Sequence, residues 1–171
     1  QMGIDLFTLV NGGIGYQEGD ELTLDMTGGL YVEHGVLEVL SVDENGTIVS
    51  LRVKSGQQGK ITALPSNIVN NPLQGGNGLG AKLNATFLVN ALQVVTPGSD
   101  YTELEIKFPQ GGAKCDPKII EGKVSNVVIT NKGTGYTSIP GLIINPTAGS
   151  EYVERIKSGE AILANGDRIH F

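Results

Sequence analysis

Short runs rich in Val, Ile, Leu and Thr recur along the chain, broken roughly every ten residues by Gly, Pro, Asn, Asp or Ser. This is the pattern of many short strands joined by tight turns. In TIVSLRVK (47–54), Val49, Leu51 and Val53 alternate with Ser50, Arg52 and Lys54, which predicts a strand with one buried face. It follows LEVLSV (37–42) across DENG, where Asn45-Gly46 can take the two positive φ values that a two-residue hairpin turn requires. Asn165-Gly166 predicts a second hairpin, between AILA (161–164) and DRIHF (167–171). A helical reading fits 150–158, SEYVERIKS, with Ser150 as cap and Gly159 as stop, and a helix that short is marginal by itself. The expected fold is all-β: repeated β-hairpin units forming small sandwich- or barrel-like modules, with at most one short helix near the C-terminus.

The hairpin pattern repeats. Residues 2–25, MGIDLFTLVNGGIGYQEGDELTLD, overlay 122–145, GKVSNVVITNKGTGYTSIPGLIIN, without a gap. Asn11/Asn131, Gly13/Gly133, Gly15/Gly135, Tyr16/Tyr136 and Leu22/Leu142 are identical, and Ile4/Val124, Phe7/Val127, Leu9/Ile129 and Leu24/Ile144 are all apolar. A third copy from Gly46 places Ile48, Leu51 and Val53 on Val124, Val127 and Ile129, and Gly59 on Gly135, with Lys60 at the tyrosine position. A weaker fourth copy is LQVVTPGSDYTELEIKF (92–108), with Tyr101 as the tyrosine after a shortened loop. The unit is a strand of pattern apolar-x-x-apolar-x-apolar, a loop N-x-G-x-G-Y, a turn and a second strand. Asn11, Gly13, Gly15, Tyr16 and their counterparts Asn131, Gly133, Gly135, Tyr136 are therefore structural turn residues. The glycines let the backbone reverse, the asparagine bonds its own backbone, and the tyrosine covers the hairpin. One such hairpin is too small to be stable alone, so neighbouring copies must pack together.

The string V-x-x-V-x-I-T-N-x-G-x-G-Y-T-x-x-P-x-x-x-I (124–144) resembles a repeat of structural proteins of tailed bacteriophages, cyanophages especially. GGAKCDPKIIEGKV (111–124) and GLGAKLNATFLVNAL (78–92) are similar to the Gly-Ala strand that precedes such repeats. The resemblance covers most of 2–145. It implies a virion component of tail, baseplate, fibre or capsid surface, located in the virion and with no catalytic residues to carry over. The partners it implies are other virion proteins and further copies of the chain, a trimer being one arrangement.

The Gly-rich stretch 70–80 reads as a link between two β lobes, 1–74 and 75–149, followed by a C-terminal extension, 150–171, that carries the second hairpin. The later copies have a hairpin partner upstream of their first strand, whereas the first copy begins at Met2. The expectation is that the chain is a segment or processed product, or that another subunit pairs this edge. The N-terminal QMGIDLFTLV lacks the basic flank and long apolar core of a signal peptide.

Charge and composition then narrow the chemistry. The chain has 171 residues and a net charge of −6, with no basic run to neutralise phosphates, so neither nucleic acid nor an anionic membrane is an expected partner. No apolar run approaches the roughly 18 residues that span a bilayer as a helix. A single Cys115 excludes a disulfide scaffold. His34, His170 and Cys115 show no zinc spacing and no nucleophile motif, so no cofactor is expected and Cys115 reads as an inert thiol. GGNGLG (75–80) is followed by a strand-like run rather than a helix, against a dinucleotide site. Glu18, Asp20, Glu21 and Asp25, with Asp43 and Glu44, read as solvated acidic loops. A divalent cation at 18–25 is a lesser alternative. The functional expectation is a non-catalytic assembly protein. The alternatives are a receptor- or glycan-binding adhesin module, against which the absence of Trp argues, and a polysaccharide hydrolase using Glu103 or Glu105.

Overall fold

The computed structural model describes residues 1–147, 156–157, 160–162 and 168–170. Among the described residues there is no helix, and the all-β expectation holds. The strands are β1 (Met2–Ile14), β2 (Glu21–Leu24), β3 (Leu30–Glu33), β4 (Val36–Val42), β5 (Ile48–Val53), β6 (Lys60–Ala63), β7 (Asn71–Gly75) and β8 (Leu79–Val89). They continue as β9 (Glu103–Lys107), β10 (Lys114–Ile120), β11 (Lys123–Asn131), β12 (Ile143–Thr147), β13 (Ile156–Lys157), β14 (Glu160–Ile162) and β15 (Arg168–His170). Residues 1–90 with 134–139 form a first unit; 91–133 with 140–171 form a second.

In the first unit eight antiparallel strands form one sheet, in the order β3-β6-β1-β8-β7-β2-β4-β5. The sheet curls until β5 lies along β1. Ile4 N–H donates to Gln58 O at 2.7 Å, Gly15 N–H to Asn45 O at 3.1 Å, and Tyr16 N–H to Gly46 O at 2.9 Å. Gly12 backs onto Ile48, whose carbonyl leaves no room for a Cβ. No ladder joins β1 to β5 between these points, so the unit is barrel-like but open. Alternate residues point inward, and Ile4, Leu22, Leu37, Val39, Ile48, Ile61, Leu83 and Phe87 make a dry core.

The second unit is smaller. Its sheet runs β11-β10-β9-β12 over a core of Tyr101, Leu104, Val124, Leu142 and Ile144, against which Leu92, Val94, Ile106, Phe108, Ile119 and Val127 pack. Strands β13, β14 and β15 form a separate three-stranded sheet.

The two units share one topology. The order β5-β4-β2-β7 of the first is reproduced as β11-β10-β9-β12 in the second. The apolar-x-x-apolar-x-apolar pattern has a physical cause here: an extra residue interrupts the two-residue period, which is a β-bulge. Register slips by one between Ile48 and Ser50 of β5, between Val124 and Asn126 of β11, and between Ile4 and Phe7 of β1. A second bulge recurs between Leu9 and Asn11 and between Ile129 and Asn131.

Several expectations are corrected. The boundary falls after residue 90, not at 74/75, because β8 pairs with β1 along most of its length and with β7 at Asn71 and Pro72. Residues 76–78 are a turn joining β7 to β8, so the 70–80 stretch is not a link between lobes. The first copy does not lack a hairpin partner: β1 lies between β6 and β8. Its Gly-Ala-Lys partner comes from downstream, pairing Asn11 with Lys82 as Asn131 pairs with Lys114. The 43–47 turn is also not a two-residue one. Gly46 has positive φ and Asn45 does not; Asp43 O accepts Gly46 N–H at 3.0 Å, while the Asp43 carboxylate caps the amides of Asn45 and Thr47. Of the helical stretch 150–158, Ile156–Lys157 form a strand paired with β14, and 150–155 and 158 lie outside the described residues. Strands β14 and β15 pair antiparallel as the second hairpin requires, and its Asn165-Gly166 turn lies outside the described residues.

Candidate functional site

The recurrent loop is built the same way wherever its sequence recurs. Asn11 Oδ1 accepts Gly13 N–H at 2.9 Å, and Asn131 Oδ1 accepts Gly133 N–H at 2.8 Å. Gly13 and Gly15 have φ of 63° and 78°; Gly133 and Gly135 have 66° and 73°. Two residues of positive φ separated by one of negative φ bend the backbone in a way that glycine takes at no steric cost. Close approach adds to the demand at Gly13, where a Cβ would strike the Leu79 carbonyl and the Tyr16 ring.

The tyrosines are buried rather than laid over an exposed hairpin. Tyr16 is 2 % exposed, with Ala81 N–H pointing at its hydroxyl from 3.5 Å. Its amide docks on Gly46, the glycine that turns the following hairpin. Tyr101 repeats this, its amide donating to Gly122 O at 2.9 Å, and Gly122 also has positive φ. Tyr136 exchanges both backbone bonds with Phe87, at 2.8 and 2.9 Å. Asp5 takes the adjacent Gly135 N–H at 2.9 Å and the Thr134 hydroxyl. The motif is thus a coupling that locks one hairpin to the end of another.

Tyr101 shows the loop surviving a change of sequence. Gly98 and Asp100 precede it at the spacing of Gly13 and Gly15, with φ of 63° and 62°. The loop ahead of Tyr101 is therefore full length, contrary to expectation. The shortening comes afterwards: Leu104 follows its tyrosine by three positions, Leu22 by six. Lys60 keeps the strand position without the tyrosine, next to Gly59 at φ 91°.

The acidic residues do not converge. Asp20 Oδ2 accepts the amides of Gln17 and Asn77, each at 3.0 Å, and Oδ1 accepts Asn77 Nδ2 at 2.7 Å. These bonds, Asn77's foremost, hold its carboxyl below the usual range. Asp20 thereby pins the 76–78 turn, a clamp with no short-range sequence signature because its partner is 57 residues away. Asp25 caps Thr27, and Glu21 pairs with Lys54. Glu18 is exposed, as is Glu44 beside the Asp43 cap. Among the described residues no three His, Cys, Asp or Glu side chains gather as metal ligands.

The remaining candidates are dispersed. Glu103 and Glu105 sit two apart on β9 and so share one face of one strand, with Glu105 held by Lys107 at 2.9 Å. His34 packs its ring against Tyr31. The side chain of His170 lies outside the described residues. Cys115 is buried, and burial followed by the Asp116 charge pushes its thiol up to about 11. It is protonated at neutral pH and a poor nucleophile. Cys115 lies on a groove of about 620 Å³ in the second unit, between the Leu104–Pro109 and 112–117 segments.

Comparison with protein-family models, with curated proteins and with solved structures found no match to this chain.

Proposed function

We propose that the chain is a structural building block of a bacteriophage particle, a tail, baseplate, fibre or capsid-surface component that works by subunit assembly rather than catalysis. The repeat's resemblance to phage structural proteins supports the particle. The observation that carries assembly is the edge strand β3. Its residues Leu30, Tyr31, Val32 and Glu33 are all exposed, Leu30 by 67 % and Val32 by 64 %. Among the described residues it pairs with β6 alone, so one row of its main-chain groups faces outward. Apolar side chains on both faces of an open edge favour burial against a neighbour, with strand pairing as the geometry. The repeated loop supports the same reading, since its Asn, Gly and Tyr join hairpins and leave no reactive group at the surface.

Light scattering on the isolated chain tests this. A concentration-dependent oligomer is expected, a trimer being one closed form, and Val32→Lys should shift it towards monomer. A chain that stays monomeric into the hundreds of micromolar overturns the reading.

A further inference from the structure

Asn-Gly pairs stand at 11–12, 45–46, 77–78 and 165–166, the last outside the described residues. The sequence treats them alike. Because glycine has no side chain, its main-chain nitrogen can reach the preceding asparagine carboxamide without a clash. A five-membered ring closes when the asparagine main chain turns to bring the two groups together. The fold decides which pair can make that turn.

At 11–12 the main chain is held on β8. Asn11 pairs with Lys82 and Gly12 with Ala81, and the Asn11 carboxamide is occupied by Gly13 N–H at 2.9 Å. Turning Asn11 would break that ladder. At 77–78 the Asp20 carboxylate holds Asn77 twice, Oδ2 taking its main-chain amide at 3.0 Å and Oδ1 its side-chain amide at 2.7 Å. Gly78 is also packed on Tyr16 and Ile14, where a Cβ would stand 2.5 Å from the ring and from the carbonyl.

Asn45 has neither restraint. It is exposed at the tip of the β4–β5 hairpin, beyond the last ladder pair, Val42 with Ile48. Among the described residues its carboxamide takes no hydrogen-bond partner. The attacking nitrogen is restrained by one turn bond, Gly46 N–H to Asp43 O at 3.0 Å. A hairpin tip with so few bonds opens at far smaller free-energy cost than a ladder interior.

We propose that Asn45-Gly46 is a site of spontaneous covalent modification, at which the main chain of the folded protein rearranges. Gly46 N bonds to Asn45 Cγ and the Cγ–Nδ2 bond breaks. The Gly46 proton departs with Nδ2 as ammonia, leaving a succinimide. Water then opens the ring. Attack at the Cγ carbonyl leaves aspartate, whereas attack at the original main-chain carbonyl leaves isoaspartate, whose chain runs through Cβ and Cγ and is longer by one methylene.

Its position gives the product an effect. Gly15 N–H donates to Asn45 O at 3.1 Å and Tyr16 N–H to Gly46 O at 2.9 Å, the bonds that dock the end of β1 on this hairpin. Isoaspartate turns the first acceptor into a carboxylate off the chain and displaces the second. No slack absorbs the methylene, since a Cβ on Gly46 would already stand 2.8 Å from Gly15. The rearrangement therefore loosens the contact by which the first unit curls onto itself. It stands whether or not the chain assembles.

Peptide mapping of the full chain, aged at mildly alkaline pH, tests this, with electron-transfer fragmentation to tell isoaspartate from aspartate. Residue 45 should convert, mainly to isoaspartate, at least tenfold faster than residues 11 and 77. In denaturing urea the three should convert at comparable rates, because sequence alone then counts. Amide exchange at Gly15 and Tyr16 should quicken at least tenfold in the aged chain. Asn45→Asp carries the new charge without the methylene and should leave both amides slow, and Asn45→Gln should show no change on ageing. Conversion led by residue 11 or 77, or an Asn45 that lasts as long as they do in the folded chain, overturns the site. Isoaspartate at 45 with Gly15 and Tyr16 still slow, or quickened exchange in Asn45→Asp, overturns the rearrangement as the cause of loosening.

Discussion

The two units start from the same four-strand order and end differently. In the first, β2, β4, β5 and β7 are joined by β1 and β8, and the enclosed side chains are dry. In the second, the same order stands over a core to which 92–97 contributes without becoming a regular strand. The difference lies in the connections. The first unit has five residues between Tyr16 and Leu22, room for the Asp20 clamp that fixes the β7–β8 turn. The second has two between Tyr101 and Leu104, Thr102 and Glu103, with Thr102 where Asp20 stands before Leu22. Among the described residues, a repeat can therefore keep its strands and its turn without the Asp20 clamp.

Unequal closure sets the order of expected effects. Phe87→Ala should cost about 4 kcal/mol in the first unit, the range for emptying an aromatic site in a tight core. Leu104→Ala in the second should cost about 2 kcal/mol, at the low end for leucine, because groove space already adjoins it. Urea unfolding followed by amide exchange in β8 and in β9 reads the two separately, and equal losses would break the comparison.

The loop glycines sharpen it next. Gly13→Ala should cost about 3 kcal/mol, combining left-handed strain with overpacking against Leu79. Gly15→Ala should cost about 1 kcal/mol, since strain alone applies where the nearest atom is Gly78 Cα at 3.7 Å. Thermal melts of the pair measure the difference.

Asp20→Ala comes third, at about 2 kcal/mol, because it strands the Asn77 and Gln17 amides. Its depressed carboxyl stabilises the fold above the unfolded value near 4, and that contribution disappears as pH falls through the folded value. The gap between wild type and variant should accordingly narrow from pH 6 to pH 2. A constant gap would assign the loss to packing instead.

The smallest effect carries the opposite sign. Asp100 holds at φ 62° the place that Gly15 fills in the first unit. Asp100→Gly relieves about 1 to 2 kcal/mol of left-handed strain and returns most of it as unfolded-chain freedom, for a net gain of about 0.5 kcal/mol. Loss of stability would show that the two loops are not equivalent.

Much of this was legible in the sequence. Alternation gave the strand class, and the Asn-Gly-Gly-Tyr spacing located the turns at 11–16 and 131–136. Pairing across distance was not legible. The domain boundary was missed because GGNGLG reads as a flexible link, and its anchor at Asp20 is remote in sequence. The supposed gap beside Met2 arose because hairpin partners were sought upstream, whereas β8 lies 65 or more residues downstream of β1's end. The bulges did have a signal: an apolar spacing of three followed by two cannot be a regular strand, and that irregularity was on view in each of the three aligned copies.

Those bulges bear on how the chain finds its native form. Sister sequences within one polypeptide compete for one another's partners while folding, a familiar route to misassembly in repeated proteins. A kink at a fixed point works like the ward of a lock. Sliding by one residue would turn Val124 or Ile48 out of the core and leave the extra residue unmatched, so each strand is held to a single alignment before the rest of its neighbours arrive.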